Sequence, residues 1–167
     1  NHQGLRIRMV PRDPYRYGMN VVLDEASSLL LKSETTDGAG RVLERFQFVD
    51  VRIGAPVAAP ELAAQTPGAH SAADHAAAAE PAPFAWTLAW LPEGFVATGR
   101  ESRAVPAGGP PIEIQSYTDG LAVFAVFVER SAERPPRAGQ ASRGATVSYV
   151  VPRGEEHLVT VVGEIPV

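Results

Sequence analysis

The residues of this chain that carry reactive groups are few, and their spacing suits no familiar reaction. His70, Asp74 and His75 come nearest to a metal-ligating cluster. A bound zinc needs donors held in a defined polyhedron, and two histidines five positions apart in an alanine tract fix no such geometry. Ser148, His157 and Asp119 supply the three letters of a nucleophilic triad. Nothing around Ser148 resembles a nucleophile elbow, however, and its neighbours Tyr149 and Val150 read as strand positions. Gly108-Gly109 lies between prolines, not between a strand and a helix, so it does not read as a phosphate loop. Glu155 and Glu156 fall in or beside a hairpin turn and read as solvated. There is no cysteine, which excludes thiolate catalysis, a disulfide framework and a zinc-thiolate site. The expectation is a protein that is not an enzyme, with no catalytic residue, metal or cofactor.

Charge narrows the class further. The 167 residues carry a net charge of -4, which argues against a nucleic-acid binder working by bulk electrostatics. The balance is also local. Residues 1–54 hold eight Lys and Arg against seven Asp and Glu, and residues 85–167 hold seven against nine. No run approaches the roughly 18 apolar residues of a bilayer-crossing helix. The opening Asn1-His2-Gln3-Gly4-Leu5 reads as the middle of a strand-rich domain rather than as a signal peptide.

The elements around these residues read as β throughout. Residues 5–53 give consecutive strands. From Tyr15 to Leu23 the odd positions Tyr15, Tyr17, Met19, Val21 and Leu23 are apolar or aromatic, the period-two mark of a half-buried strand. Asp37-Gly38-Ala39-Gly40 predicts a hairpin turn into Val42–Ile53, where a change of face near Phe48–Val49 predicts a bulge or a strand passing between two environments. Residues 55–83 differ in kind. Thirteen of them are Ala and five are Pro, with almost no large hydrophobe. Such a segment cannot bury enough apolar surface to offset its ordering entropy. It reads as a linker, with a short helix from a Ser71 cap through Asp74 to Glu80. Residues 84–167 form a second β unit. Phe84–Trp90 and Phe95–Glu101 read as strands, Ile112–Tyr117 and Leu121–Glu129 as a hairpin about Asp119-Gly120, and Ser131–Arg143 as a loop. Thr146–Val151 and His157–Gly163 complete a last hairpin about Pro152-Arg153-Gly154. Both alternating sets of Leu121–Val128 are apolar, so that strand belongs mid-sheet with both faces covered.

Read as text, the chain resembles the MucB/RseB family of periplasmic regulators. The resemblance is carried by Ser116-Tyr117-Thr118-Asp119-Gly120-Leu121-Ala122-Val123-Phe124-Ala125-Val126-Phe127-Val128-Glu129 and by Val162-Gly163-Glu164-Ile165-Pro166. Trp90-Leu91-Pro92-Glu93-Gly94-Phe95, Pro11-Arg12-Asp13-Pro14-Tyr15-Arg16-Tyr17-Gly18 and Gly40-Arg41-Val42-Leu43-Glu44-Arg45-Phe46-Gln47-Phe48 extend it. What it implies is a mainly β architecture in three parts. Residues 1–54 would be the last strands of an antiparallel half-barrel like the lipoprotein carriers LolA and LolB. Residues 55–83 would be a linker, and residues 84–167 a small antiparallel-sheet domain lacking its terminal helix.

The resemblance also implies a function. Such proteins bind the periplasmic part of a membrane-spanning anti-sigma factor, protect it from regulated proteolysis, and let go on a lipid signal such as lipopolysaccharide. The implied compartment is the periplasm. A homo-oligomer is compatible with it, and nucleic acid is not among the partners. Tyr117, Asp119, Glu129 and Arg130 are candidates for the partner-binding surface. Tyr15, Tyr17, Met19 and Phe46 either face a lipid cavity or pack in a half-barrel core. The alternative function is a lipid or lipoprotein carrier of the LolA/LolB type, without a regulatory role.

Overall fold

The structure is a computed structural model and describes residues 3–62, 84, 86–105, 109–130 and 137–166. Among these described residues, ten strands make two sheets. In the first, β1 (Gly4–Met9), β2 (Gly18–Asp24), β3 (Leu30–Thr36) and β4 (Val42–Gln47) pair antiparallel in chain order. The second has six strands in the order β5-β6-β7-β10-β9-β8, all antiparallel. These are β5 (Val96–Arg103), β6 (Ile112–Thr118), β7 (Val123–Arg130), β8 (Gly139–Arg143), β9 (Thr146–Arg153) and β10 (His157–Gly163). The mainly β, two-sheet expectation holds.

Turns are built from side chains that satisfy the loop backbone. Between β3 and β4, Asp37 Oδ1 accepts from the amides of Ala39 at 3.0 Å and Arg41 at 2.9 Å, and Gly40 supplies a φ of 82°. Between β2 and β3, Asp24 accepts from the amide and hydroxyl of Ser27. Both are Asx-type devices that offer a chain reversal its missing acceptors.

Register explains the faces of the first sheet. Met9, Met19, Thr35 and Glu44 form one cross-strand row, and Ile7, Val21, Ser33 and Phe46 the next. This is the apolar face. On the other face Glu34 pairs with Lys32 at 2.7 Å and Arg45 at 2.8 Å. The second sheet buries a core instead. Phe95, Tyr117, Phe124 and Val126 cluster on one of its faces, and Trp86, Leu88 and Leu91 pack over them. Tyr117 stacks on Phe124 with ring centroids 5.0 Å apart. Gly163 lies opposite Phe124, and a Cβ there would fall on the Phe124 Cβ and backbone, so only glycine fits this crossing.

Several sequence expectations need correction. Phe84 and Trp86–Trp90 are not strand. Trp86 and Leu88 pack onto the sheet face without a ladder partner, because period-two apolarity reports a buried side and not a hydrogen-bonded neighbour. The strand expected from Tyr15 starts at Gly18, and Tyr15 sits in a turn. The strand expected to run to Ile53 ends at Gln47, so the change of face at Phe48–Val49 is a strand end rather than a bulge. Gly139–Arg143, expected as loop, is edge strand β8, and Pro152-Arg153 extend β9. Of the linker, Ala59–Leu62 forms one 3-10 turn. The helix expected from Ser71 to Glu80, and His70, Asp74 and His75, lie outside the described residues, as does Gly108.

Candidate functional site: a clasped cleft between the sheets

The loop before β7 performs two tasks with one carboxylate. Asp119 Oδ1 accepts from the amides of Leu121 at 2.9 Å and Ala122 at 2.8 Å, and Gly120 turns the chain at φ 95°. Thr118 Oγ1 donates to the Ala122 carbonyl at 2.7 Å and accepts from the Gly120 amide. The loop is thus rigid before anything touches it. Asp119 Oδ2 remains, and it receives Arg16 Nε from the first sheet at 2.6 Å.

Arg16 is the centre of this junction. Its guanidinium also donates to Asp13 and to the Glu93 carbonyl, and it lies over the Phe95 ring at 4.8 Å. The side chains of Arg16 and Asp119 are only 20% and 10% exposed. Charge-assisted hydrogen bonds in such shielded positions are the strong ones, and the ring face adds cation–π attraction. The hydrogen bond to Asp119 holds the Arg16 pKa above its ordinary value, against the opposing pull of burial. For Asp119 burial pushes the carboxyl up, but the amides of Ala122 and Leu121 together with Arg16 outweigh it and leave the pKa lowered. Two further contacts flank the clasp. Tyr15 meets Trp90 edge-on at 4.9 Å, and Glu44 Oε1 accepts from the Ala145 amide at 3.0 Å beside Gly144.

A cavity of about 560 Å³ opens beside the clasp, lined from one sheet by Met9, Tyr17 and Met19 and from the other by Glu93, Leu121 and Glu164. It combines apolar wall with fixed charges. The triad letters do not meet: Asp119 precedes β7, whereas His157 starts β10 at the other end of that strand. Ser148, opposite Val162, lies on the sheet face away from His157.

The sequence-proposed residues are scattered. Asp119 lines the cleft, but Tyr117 is 6% exposed and belongs to the core. Burial keeps its hydroxyl pKa raised, despite the opposing effect of Arg100. Glu129 is half-buried on the face opposite to Arg130, and Arg130 is exposed and paired with Glu156 at 2.8 Å. Of the second set, Tyr17 and Met19 line the cleft. Phe46 shares the Met19 face two strands away and meets Phe48 edge-on at 5.1 Å, while Tyr15 sits against Trp90. Sequence reasoning missed Arg16, Glu93 and Glu44. An arginine in a turn carries no sequence mark that separates a clasp from a solvated charge.

Comparison with known proteins gives this geometry a context. The MucB/RseB C-terminal domain model matches residues 80–167, and the MucB/RseB N-terminal domain model matches residues 1–66. Sigma factor AlgU regulatory protein MucB of Pseudomonas aeruginosa is 36% identical over 96% of this chain, which covers 51% of that protein. Sigma-E factor regulatory protein RseB of Escherichia coli K12 is 34% identical over 96% of this chain and 50% of its own length. The chain therefore spans about half the length of these relatives, both regulatory proteins by name. Among solved structures, the Pseudomonas aeruginosa MucA/MucB complex and MucB in complex with MucA(peri) each superpose with a TM-score of 0.81 at 33% identity. They cover 98% of this chain, which in turn covers 55% and 57% of theirs. A structure named simply as MucB has the same identity and coverage of this chain, with 53% of its own length covered, but a TM-score of 0.61. Since identity and coverage are equal, the difference is one of shape. By the two family models and these relatives, the chain belongs to the MucB/RseB family.

Proposed function

We propose that this chain is part of a periplasmic binding regulator and not an enzyme. Its cleft and small sheet grasp the periplasmic segment of a membrane-spanning anti-sigma factor and withhold that segment from a protease. A lipid such as lipopolysaccharide favours the released state. In this reading residues 1–54 are the end of a lipid-carrier-like domain, residues 55–83 a linker, and residues 84–167 the small domain. The observation that carries it is the closer fit to both MucA-containing structures than to the one named as MucB, at equal identity. A clasp that fixes the relative position of the sheets gives that likeness a physical basis. Release follows from linkage: a ligand lowers occupancy on the anti-sigma segment only as far as it prefers the unbound arrangement.

Of the residues proposed from sequence, Asp119 is retained for the partner surface, with Arg16 and Glu93 added. Tyr17, Met19 and Phe46 are retained as a lipid-facing set because Met19 and Phe46 lie on one face. The test is capture of the purified anti-sigma periplasmic segment by the immobilised chain, with protease digestion of that segment followed in parallel. Capture with slowed digestion is expected; no capture at micromolar concentrations refutes the reading. One observation favours the carrier alternative. Ile7 and Phe46 are 38% and 49% exposed on the first sheet, with Phe48 42% exposed just past β4, an apolar face suited to acyl chains. Stoichiometric lipid extraction without capture of the segment would reverse the order.

A further inference from the structure

The cleft beside the clasp holds charge that the clasp itself does not use. Asp13, Glu93, Asp119 and Glu164 line it, against the guanidiniums of Arg12 and Arg16. Asp13 and Asp119 are committed to Arg16. Among the described residues the carboxylates of Glu93 and Glu164 have no hydrogen-bond or ion-pair partner. Their backbones, by contrast, are pinned. The Glu93 carbonyl accepts from Arg16, and the Glu164 amide donates to the Val123 carbonyl at 3.0 Å. Two exposed carboxylates are thus held at the cavity wall with their charge free.

The apolar part of the lining has its own pattern. Met9 and Met19 are cross-strand partners on β1 and β2, so two thioethers lie side by side. Methionine is unbranched and polarisable, and such a floor moulds itself to aliphatic side chains of differing shape. From the other sheet comes Leu121, which is 64% exposed although its own amide is fixed by Asp119 Oδ1 at 2.9 Å. A large apolar side chain held in water by a rigid loop has the character of an interface anchor.

We propose that the cleft selects a polypeptide stretch in which a lysine or arginine stands beside a large aliphatic side chain. The aliphatic group lies against Met9, Met19 and Leu121, and the cation faces Glu93 and Glu164. An acidic stretch would add like charge to carboxylates already in excess. A neutral one would strip water from them and return no charge. The inference rests on the reading of this chain as a polypeptide-binding regulator, and specifies which part of an anti-sigma segment the cleft takes.

Fluorescence anisotropy tests it with labelled octapeptides in which leucine alternates with lysine, glutamine or glutamate. The lysine peptide is expected to bind about tenfold or more tightly than the glutamate one, with glutamine between. Glu93→Gln with Glu164→Gln balances the remaining charges of the lining and is expected to bring the lysine and glutamate peptides within about twofold of each other. The thermal midpoint should not change, because both side chains are exposed and unpartnered among the described residues. Leu121→Ser is expected to weaken the lysine and glutamine peptides alike, by about fivefold or more. No binding of the lysine peptide at millimolar concentration, or equal affinity for the lysine and glutamate peptides, would overturn the proposal. So would a surviving lysine preference in the double variant, or unaltered binding by Leu121→Ser. Capture of the whole anti-sigma segment is measured separately, so its success beside any of these results leaves the regulatory reading standing.

Discussion

The two sheets solve the problem of an apolar face in different ways. The six-stranded sheet covers one face with its own chain: Trp86, Leu88 and Leu91 close over Phe124 and Val126, and Val126 is only 1% exposed. In the four-stranded sheet the side chains of the equivalent face, Ile7 and Phe46 among them, remain open. Its buried non-glycine residues are Asp24 and Thr36, both polar and both at strand ends. Stability should therefore reside in the second sheet, and the first should depend for its position on the junction at Arg16. A sheet with an open apolar face is suited to receiving something; a sheet with a closed core is suited to holding a surface steady.

The largest expected effect breaks the comparison at the core. Phe124→Ala should cost about 3–5 kcal/mol in urea unfolding, while Phe46→Ala should cost less than about 1 kcal/mol. Similar costs for the two would mean that the first sheet has a core of its own. Next comes Gly163→Ala, in which the new methyl meets Phe124 with no room to move. Overpacking of this kind costs about 1–3 kcal/mol or more, and Phe124→Leu in the same chain should not recover it, because leucine keeps the Cβ and backbone that the methyl meets.

The junction comes third. A double-mutant cycle on Arg16→Ala and Asp119→Asn should give a coupling of about 1–2 kcal/mol, with a broadened distance distribution between spin labels on β4 and β8. Its pH dependence follows from Asp119. A carboxyl whose folded pKa is depressed contributes stability that is present above the unfolded value, near 3.9, and lost as pH falls through the folded one. The inter-sheet distance should therefore hold from pH 8 down to about 5 and loosen only in stronger acid. Loosening between pH 6 and 8 would assign the junction to another group. Smallest of all, Arg45→Ala removes an exposed contact to Glu34 and should leave the thermal midpoint unchanged.

Much of this architecture was legible in the sequence, because hairpin chemistry is local. His157–Gly163 has the limits expected of it, and Asp119-Gly120 turns the chain where Asp-Gly should. The misses are informative. Phe84–Trp90 carries alternate apolar side chains and reads as a strand, yet Trp86 and Leu88 are buried by lying over a sheet rather than within one. Gly-Gln-Ala-Ser-Arg at 139–143 has no apolar alternation, since all five residues of this edge strand are exposed. Tyr117 reads as a surface candidate near a hairpin, but register with Phe124 takes it into the core. Arg16 and Asp119 are separated by more than a hundred residues, and nothing local to either announces the other.

The central proposal is that the Arg16–Asp119 junction holds the two sheets in the arrangement that would receive an anti-sigma segment. Calorimetric titration of that periplasmic segment into the wild-type chain and into Arg16→Ala tests it most directly. The account predicts binding at least about tenfold weaker for the variant, with circular dichroism and the unfolding of the second sheet unchanged. Equal affinities for the two proteins would contradict it.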